Sequence, residues 1–132
     1  MTEEELQALL ERTTPARERY ELFVEQCQDQ DVRLRFSPPQ AQGQERAKGD
    51  GWSMASLLAV TDISLRAAAR EEASLTHLNV TRIRLAQPAD VLALSRVIRR
   101  DRDVIHAESW LFSHAVVEPM LHATATLRRP GG

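Results

Sequence analysis

The chain has 132 residues, of which 42% are hydrophobic and 27% charged, and a formal net charge of −2. This length suits one domain with a single core, and the charge gives no reason to expect a nucleic-acid partner. The single cysteine, Cys27, excludes an intrachain disulfide and a cysteine-based metal site. No apolar run is long enough to span a membrane, and no secretory signal is visible. We therefore predict a cytoplasmic protein without membrane contact. We predict no metal site, because the histidines lack metal-ligand spacing: His77, His106, His114 and His122.

Two short helices are predicted in the first thirty residues. Thr2 and Glu5 have the spacing of a capping box, which indicates the start of the first helix. A second helix is predicted from Pro15, because apolar residues recur at i, i+3, i+4 and i+7: Tyr20, Phe23, Val24 and Cys27. We therefore predict an N-terminal helical extension over residues 1–30 and a main domain over residues 31–129.

The main domain combines one apolar helix with several strands. Alternation of apolar and polar residues predicts a strand at 32–36, and a polar loop follows at 40–51. After the helix, the same alternation predicts four strands, at about 78–85, 91–98, 104–112 and 120–128. An antiparallel sheet curled around one buried helix accommodates this order, which predicts the α+β class.

The central helix, predicted over residues 53–70, carries one residue that its pattern does not explain. The segment is apolar around most of its circumference, which indicates a buried helix, and Ser53 suits the N-cap. At 100° per residue, Ser56 and Ser64 fall on one side and Asp62 on the opposite, apolar side. We expect Asp62 on a buried face, where a carboxylate is costly unless it is paired or used. It is a structural residue with a donor across the core, a residue whose helix face the pattern misplaces, or a catalytic acid or base.

Three segments resemble a known family when they are taken in order: LLAVTDISLRAA, RLAQPADVLALSRVIRRDRDVI and EPMLHATATLRRP. They are similar to the central helix, the turn with its following strand and basic hairpin, and the closing strand of the hotdog-fold thioesterase superfamily. Within that superfamily, the chain resembles in particular the small acyl-CoA thioesterases of the PaaI and 4-hydroxybenzoyl-CoA type. The resemblance implies the hotdog fold and an acyl-CoA thioesterase that needs no cofactor beyond the coenzyme A of its substrate. It also implies a homo-oligomer, either a dimer or a dimer of dimers, with the active site between subunits.

The resemblance also assigns roles to residues of the central helix. Asp62 would be the acid, base or nucleophile, and the backbone amide of Met54 would hold the oxyanion. Ala55 would contact the substrate. Ser53 would donate a hydrogen bond to the substrate or serve only as the N-cap.

The basic hairpin and the start of the helix leave alternatives open. Arg99 and Arg100 would hold the phosphates of coenzyme A, or they belong to a solvated hairpin with Asp101 and Asp103 as partners. The family usually carries His-Gly-Gly where this chain has residues 53–55, Ser-Met-Ala. A hotdog domain that binds an acyl-thioester or fatty acid without hydrolysing it is therefore the alternative function.

Overall fold

The computed structural model describes residues 1–15, 20–28, 31–38, 52–86, 89–113 and 119–130. Within these ranges it contains two helices, α1 (Glu3–Thr13) and α2 (Met54–Ala69). The strands are β1 (Phe23–Cys27), β2 (Asp31–Phe36), β3 (Ser74–Arg82), β4 (Val91–Arg100), β5 (Val104–Ser113) and β6 (Pro119–Arg128). The six strands form one antiparallel sheet in the order β1-β2-β4-β5-β6-β3. The predicted α+β class is confirmed, and the predicted loop at 40–51 lies outside the described residues.

The sheet curves around α2 and buries one of its own faces against that helix. Alternate residues of β5 and β6 face inward and are buried, as expected for strands with one solvated face. Fully buried side chains come from the sheet and from both helices and include Leu6, Leu34, Phe36, Val60, Ile105, Leu111 and Leu121. Burial of this apolar area is the main source of the fold's stability.

Hydrogen-bonded serines join α2 to the middle of the sheet. The Oγ atoms of Ser64 and Ser109 are 2.7 Å apart, and Ser95 Oγ donates to the carbonyl of Ser64 at 2.8 Å. Ser64 Oγ donates in turn to the carbonyl of Thr61 at 2.9 Å, which leaves Ser109 as the donor to Ser64. These serines are at most 3% exposed, and each hydroxyl has a partner, as buried polar groups require. Their small side chains allow the helix to lie close to the strands.

Four of the predicted strands are confirmed to within two residues at each end, namely β2, β4, β5 and β6. Strand β3 begins at Ser74, four residues before the predicted start, and ends at Arg82. It pairs only with β6 in the described part of the chain and so forms one edge of the sheet, while β1 forms the other. The sheet therefore has a nine-residue edge strand beside the closing strand of the chain.

The prediction of a second N-terminal helix is wrong, because Phe23–Cys27 form strand β1. Val24 pairs with Leu34, but Gln26 pairs with Arg33, so the β1–β2 register shifts between Val24 and Gln26. This irregularity separates the buried residues Val24 and Cys27 by three positions, which imitates the spacing of a helix. The sheet thus includes part of the segment for which the sequence predicted a helical extension.

Helix α1 is present as predicted and packs on β1. The capping box is formed, with Thr2 Oγ1 accepting from the amide of Glu5 at 3.1 Å and Glu5 Oε1 accepting from the amide of Thr2 at 3.0 Å. Gln7 ties the helix to the strand through the carbonyl of Leu22 (3.0 Å) and the amide of Val24 (2.8 Å). Neither described helix is long and apolar enough to cross a membrane.

Candidate active site

The N-terminus of α2 presents unpaired backbone donors. Ser53 is the N-cap, and its Oγ accepts from the amide of Ser56 at 3.1 Å. Among the described residues, the amides of Met54 and Ala55 have no hydrogen-bond partner, as expected for the first turn of a helix. Trp52, which is 7% exposed, fixes this end of the helix by donating from Nε1 to the carbonyl of Ala89 at 2.7 Å. The helix dipole and these free amides together favour negative charge at this position.

Asp62 lies on the face of α2 that the sheet does not cover. Its side chain is 37% exposed, so the prediction that it lies on a buried face is wrong. The face that packs against the sheet is the one with Ser56 (5% exposed) and Ser64 (0%). These serines can be buried because each hydroxyl donates a hydrogen bond to a nearby backbone carbonyl of the helix or its N-cap. The helix is apolar on both sides, so either side could have packed against the sheet. We call the other side the open face of α2; its residues are exposed or half-buried: Ala55, Leu58, Ala59, Asp62 and Arg66.

An ion pair connects Asp62 to Arg66, one turn further along the helix. Arg66 Nε lies 3.4 Å from Asp62 Oδ2, and the side chain of Arg66 is only 18% exposed. The other end of the guanidinium reaches the end of α1, where Nη1 and Nη2 contact Thr13 and Thr14. The sequence pattern gave no signal for the contact between Arg66 and the end of α1, because it joins residues more than fifty positions apart.

Met54 and Asp62 are too far apart in one chain to act on the same carbonyl group. Eight residues separate them, which corresponds to about 12 Å along the helix axis. The N–H groups of the first turn also point out of the N-terminal end of the helix, away from Asp62. Reacting groups need to approach to about 3–3.5 Å. The structure therefore places both predicted parts of the site on α2 but does not bring them together within one chain.

Both arginines of the predicted phosphate site form ion pairs within the chain. Arg99 Nη2 lies 2.7 Å from Asp101 Oδ2, and this arginine side chain is 67% exposed. Arg100 contacts Glu71 Oε2 at 2.9 Å and donates to the carbonyl of Ala69 at 2.8 Å. Arg100 therefore stabilises the C-terminal end of α2, at the opposite end of the helix from Met54. A role for either residue in binding phosphates stays a prediction.

Glu71 connects the end of α2 to two arginines. Arg129 donates to it twice, from Nε at 2.8 Å and from Nη2 at 2.9 Å, and Arg100 donates once. The hydrogen bonds from Arg129, with the attraction of both guanidinium groups, lower the pKa of Glu71, although burial acts in the opposite direction. This cluster joins the last turn of the helix to the end of the sheet.

A second polar cluster lies on the outer face of the sheet. Burial of Glu108 opposes its ionisation, but hydrogen bonds from His122 (3.2 Å), Arg96 (3.2 Å) and Trp110 (3.1 Å) outweigh this effect and lower its pKa. The rings of Trp110 and His122 stack with centroids 3.9 Å apart. The sequence pattern placed these residues on neighbouring strands but did not indicate their cluster, because the pairing register decides which side chains meet.

A cleft of about 490 Å³ lies between α1 and the end of α2. Arg66 and Thr13 line it together with Glu72 and Pro130. Arg12 and Glu72 form an exposed ion pair across it at 3.5 Å. The cleft therefore adjoins the ion-pair partner of Asp62.

Comparison with solved structures identifies the fold. A candidate thioesterase from Silicibacter sp. TM1040 is similar over 98% of this chain and 92% of its own, with a TM-score of 0.82 and 21% identity. Zebrafish thioesterase superfamily member 2 gives a TM-score of 0.74 at 15% identity and covers 96% of this chain and 94% of its own. A mutant thioesterase from Pseudomonas aeruginosa gives 0.72 at 16% identity and covers 97% and 93%. The chain has the hotdog fold.

The hotdog fold confirms the resemblance that the sequence predicted, at the level of architecture. No family model matches the sequence, and no curated protein matches it. At identities of 15–21%, these neighbours show the fold alone. These neighbours therefore assign no role to an individual residue of this chain.

Proposed function

We propose that this hotdog protein is an acyl-CoA thioesterase that uses Asp62 as its base or nucleophile. The observation that carries the proposal is the open face of α2. A half-exposed carboxylate lies there on the same helix as an N-terminus whose first two amides have no partner among the described residues. Thioester hydrolysis needs these two groups, a carboxylate at the carbonyl carbon and a donor for the oxyanion. The names of the structural neighbours support the same activity.

We infer that a second copy of the chain completes the site. If two α2 helices pack antiparallel about a two-fold axis at Leu58, the Met54 amide of each chain lies beside Asp62 of the other. Leu58 and Ala59 are half-buried and apolar, which suits the centre of such a contact. The edge strand β3 supports the same assembly, because a long exposed edge favours pairing with another strand. The proposed unit is therefore a homodimer, alone or as half of a tetramer.

The proposed reaction follows from these positions. Asp62 takes a proton from water as the water oxygen attacks the carbonyl carbon, and the amide of Met54 in the other chain holds the negative oxygen. The carbon–sulfur bond then breaks, and the thiolate of coenzyme A receives the proton from Asp62. If Asp62 attacks directly, an anhydride forms as the thiolate leaves, and water then opens the anhydride. The products are a carboxylic acid and a thiol in either case.

The residues predicted to contact the substrate would do so at different points of the proposed site. Ala55 is exposed at the start of the open face and would border the acyl-thioester. Ser53 serves as the N-cap, which is the simpler of its two predicted roles, and its substrate contact stays a prediction. Arg99 and Arg100 would meet the phosphates of coenzyme A only by exchanging their present ion pairs.

One observation favours the alternative of a binding domain without turnover. The chain has Ser53, Met54 and Ala55 where the resemblance leads us to expect His-Gly-Gly. Met54 is 37% exposed at the place where the carbonyl would bind. Its bulk narrows the approach to the amide, although the amide itself is a backbone group and remains.

The test combines a substrate screen with one substitution. Wild-type protein is incubated with a panel of acyl-CoA esters, and the released thiol is measured. Asp62→Asn should lower kcat by about 10² or more, the scale of a lost general base. Its free energy of unfolding should change by less than about 0.5 kcal/mol, since Asp62 is 37% exposed and its ion pair with Arg66 lies within the helix.

The matched control is Glu72→Gln, which removes an exposed carboxylate that also forms an ion pair with an arginine, Arg12. This variant should leave kcat unchanged. Binding of an ester without its hydrolysis would support the alternative function. Wild-type turnover by the Asp62→Asn protein would show that Asp62 is not catalytic.

A further inference from the structure

Arg66 connects α1 to the open face of α2 through a single guanidinium group. Its Nη1 contacts the carbonyl of Thr13 at 3.5 Å and Thr13 Oγ1 at 3.3 Å, and its Nη2 donates to Thr14 Oγ1 at 3.2 Å. Thr13 is the last residue of α1, and Thr14 is its C-cap, 3% exposed. A cation at the C-terminus of a helix is favourable because it meets the negative end of the dipole. These contacts fix the position of the guanidinium plane.

The third nitrogen of the Arg66 guanidinium, Nε, lies near Asp62. Arg66 Nε is buried and has no hydrogen-bond partner in the described part of the chain, although Asp62 Oδ2 lies 3.4 Å away. A guanidinium carries its donors in a rigid plane, so contacts at Nη1 and Nη2 determine where Nε points. A buried donor without an acceptor is costly, and a small rotation of the Asp62 carboxylate would satisfy it. Both groups would gain from that hydrogen bond.

We propose that Arg66 is a positioning residue for Asp62 and that α1 sets its place through Thr13 and Thr14. The proposal rests on the thioesterase function proposed above. After that rotation, Arg66 Nε holds Oδ2 of the carboxylate, which leaves Oδ1 on the open face to take a proton or attack a carbonyl carbon. Helix α1 is then part of the catalytic apparatus, although none of its residues touches the substrate.

A purely structural role for Arg66 gives different results from a positioning role. As a link between two helices, Arg66 would affect the melting temperature but not the turnover of the folded enzyme. As a positioning residue, it affects kcat more than KM, because it acts on the reacting carboxylate and not on substrate binding. Its effect also depends on Asp62, which a structural effect does not.

The experiment measures kcat, KM and melting temperature for Arg66→Ala, Arg66→Lys, Thr14→Val and Thr14→Ser. Arg66→Ala should lower kcat by about tenfold, the rate equivalent of one charge-assisted hydrogen bond, with little change in KM. Arg66→Lys should not restore kcat, because an ammonium cannot contact α1 and Asp62 in the fixed directions of a guanidinium. Thr14→Val should lower kcat by a smaller factor than Arg66→Ala does. Thr14→Ser, which keeps the hydroxyl, should retain the wild-type kcat. Arg12→Ala is the control, since Arg12 lies on the same helix in an exposed ion pair.

The same substitution in the Asp62→Asn protein distinguishes the possible failures. We expect Arg66→Ala to have no further effect there, because the carboxylate that it positions is gone. If Asp62→Asn is inactive but Arg66→Ala keeps the wild-type kcat, only the positioning role is overturned. An equal loss of kcat in both backgrounds would also overturn it. If wild-type protein hydrolyses no ester, or if Asp62→Asn keeps the wild-type rate, the proposed function fails and this inference fails with it.

Discussion

A mixture of two inactive variants tests whether the site is shared between chains. Met54→Pro removes the amide that would hold the oxyanion, and proline is well tolerated at the first position of a helix. Ser53 has an extended backbone (φ −90°, ψ 167°), which is the conformation required before a proline. Asp62→Asn removes the carboxylate and keeps an acceptor for Arg66. Each variant alone should therefore fold and lack activity.

The expected recovery follows from the two-fold arrangement. In a mixed dimer, one site combines the Met54 amide of the Asp62→Asn chain with Asp62 of the Met54→Pro chain, and both groups are intact. The other site has lost both groups. Random association of equal amounts makes half of the dimers mixed, so the mixture should recover about a quarter of the wild-type activity. A site built within one chain would recover none, since every chain lacks one of the two groups.

The assay is release of thiol from an acyl-CoA ester before and after the two variants are unfolded together and refolded. Simple mixing without exchange of chains is the control and should show only the residual activity of each variant. Sedimentation at micromolar concentration should show a dimer or a tetramer. Full exchange of chains without recovered activity would refute the shared site, and a stable monomer would refute the assembly itself.

Three further predictions concern parts of the structure outside this contact. Glu71→Gln should cost at most about 1 kcal/mol in urea unfolding at neutral pH. Because the hydrogen bonds from Arg129 lower the pKa of Glu71, this difference should be complete above pH 4.5 and disappear as the pH falls through the lower folded-state value; a difference that persists in acid would contradict the reasoning. Ser64→Ala should cost about 1–2 kcal/mol by leaving Ser109 Oγ without its partner, and the double variant with Ser109→Ala should cost less than the sum; additive losses would show that the two hydroxyls do not interact. Arg99→Ala should raise KM for an acyl-CoA ester, leave kcat unchanged and leave KM unchanged for an N-acetylcysteamine thioester, which lacks the phosphates; an unchanged KM for both substrates would assign Arg99 to its surface ion pair.

The sequence by itself determined most of the architecture. Alternation over 91–98, 104–112 and 120–128 predicted three strands that the structure confirms, because one face of each strand must be buried. The capping serine and the apolar content of 53–70 predicted α2 to within two residues. Thr2 and Glu5 marked the start of α1 in the same way. These features depend on neighbours in sequence, which is why a local pattern contains them.

The tertiary structure decided what local spacing could not. The shifted register between Val24 and Gln26 gave a strand the spacing of a helix, and only its pairing with β2 distinguishes the two. Helix α2 is apolar on both sides, so its sequence pattern could not show which face meets the sheet. The hydrogen bonds of Ser64 to Ser95 and Ser109 determine that face and leave Asp62 on the open face. The contact between Asp62 and Arg66 is local to the helix, but the link from Arg66 to α1 spans more than fifty residues and exists only because the chain brings these helices together.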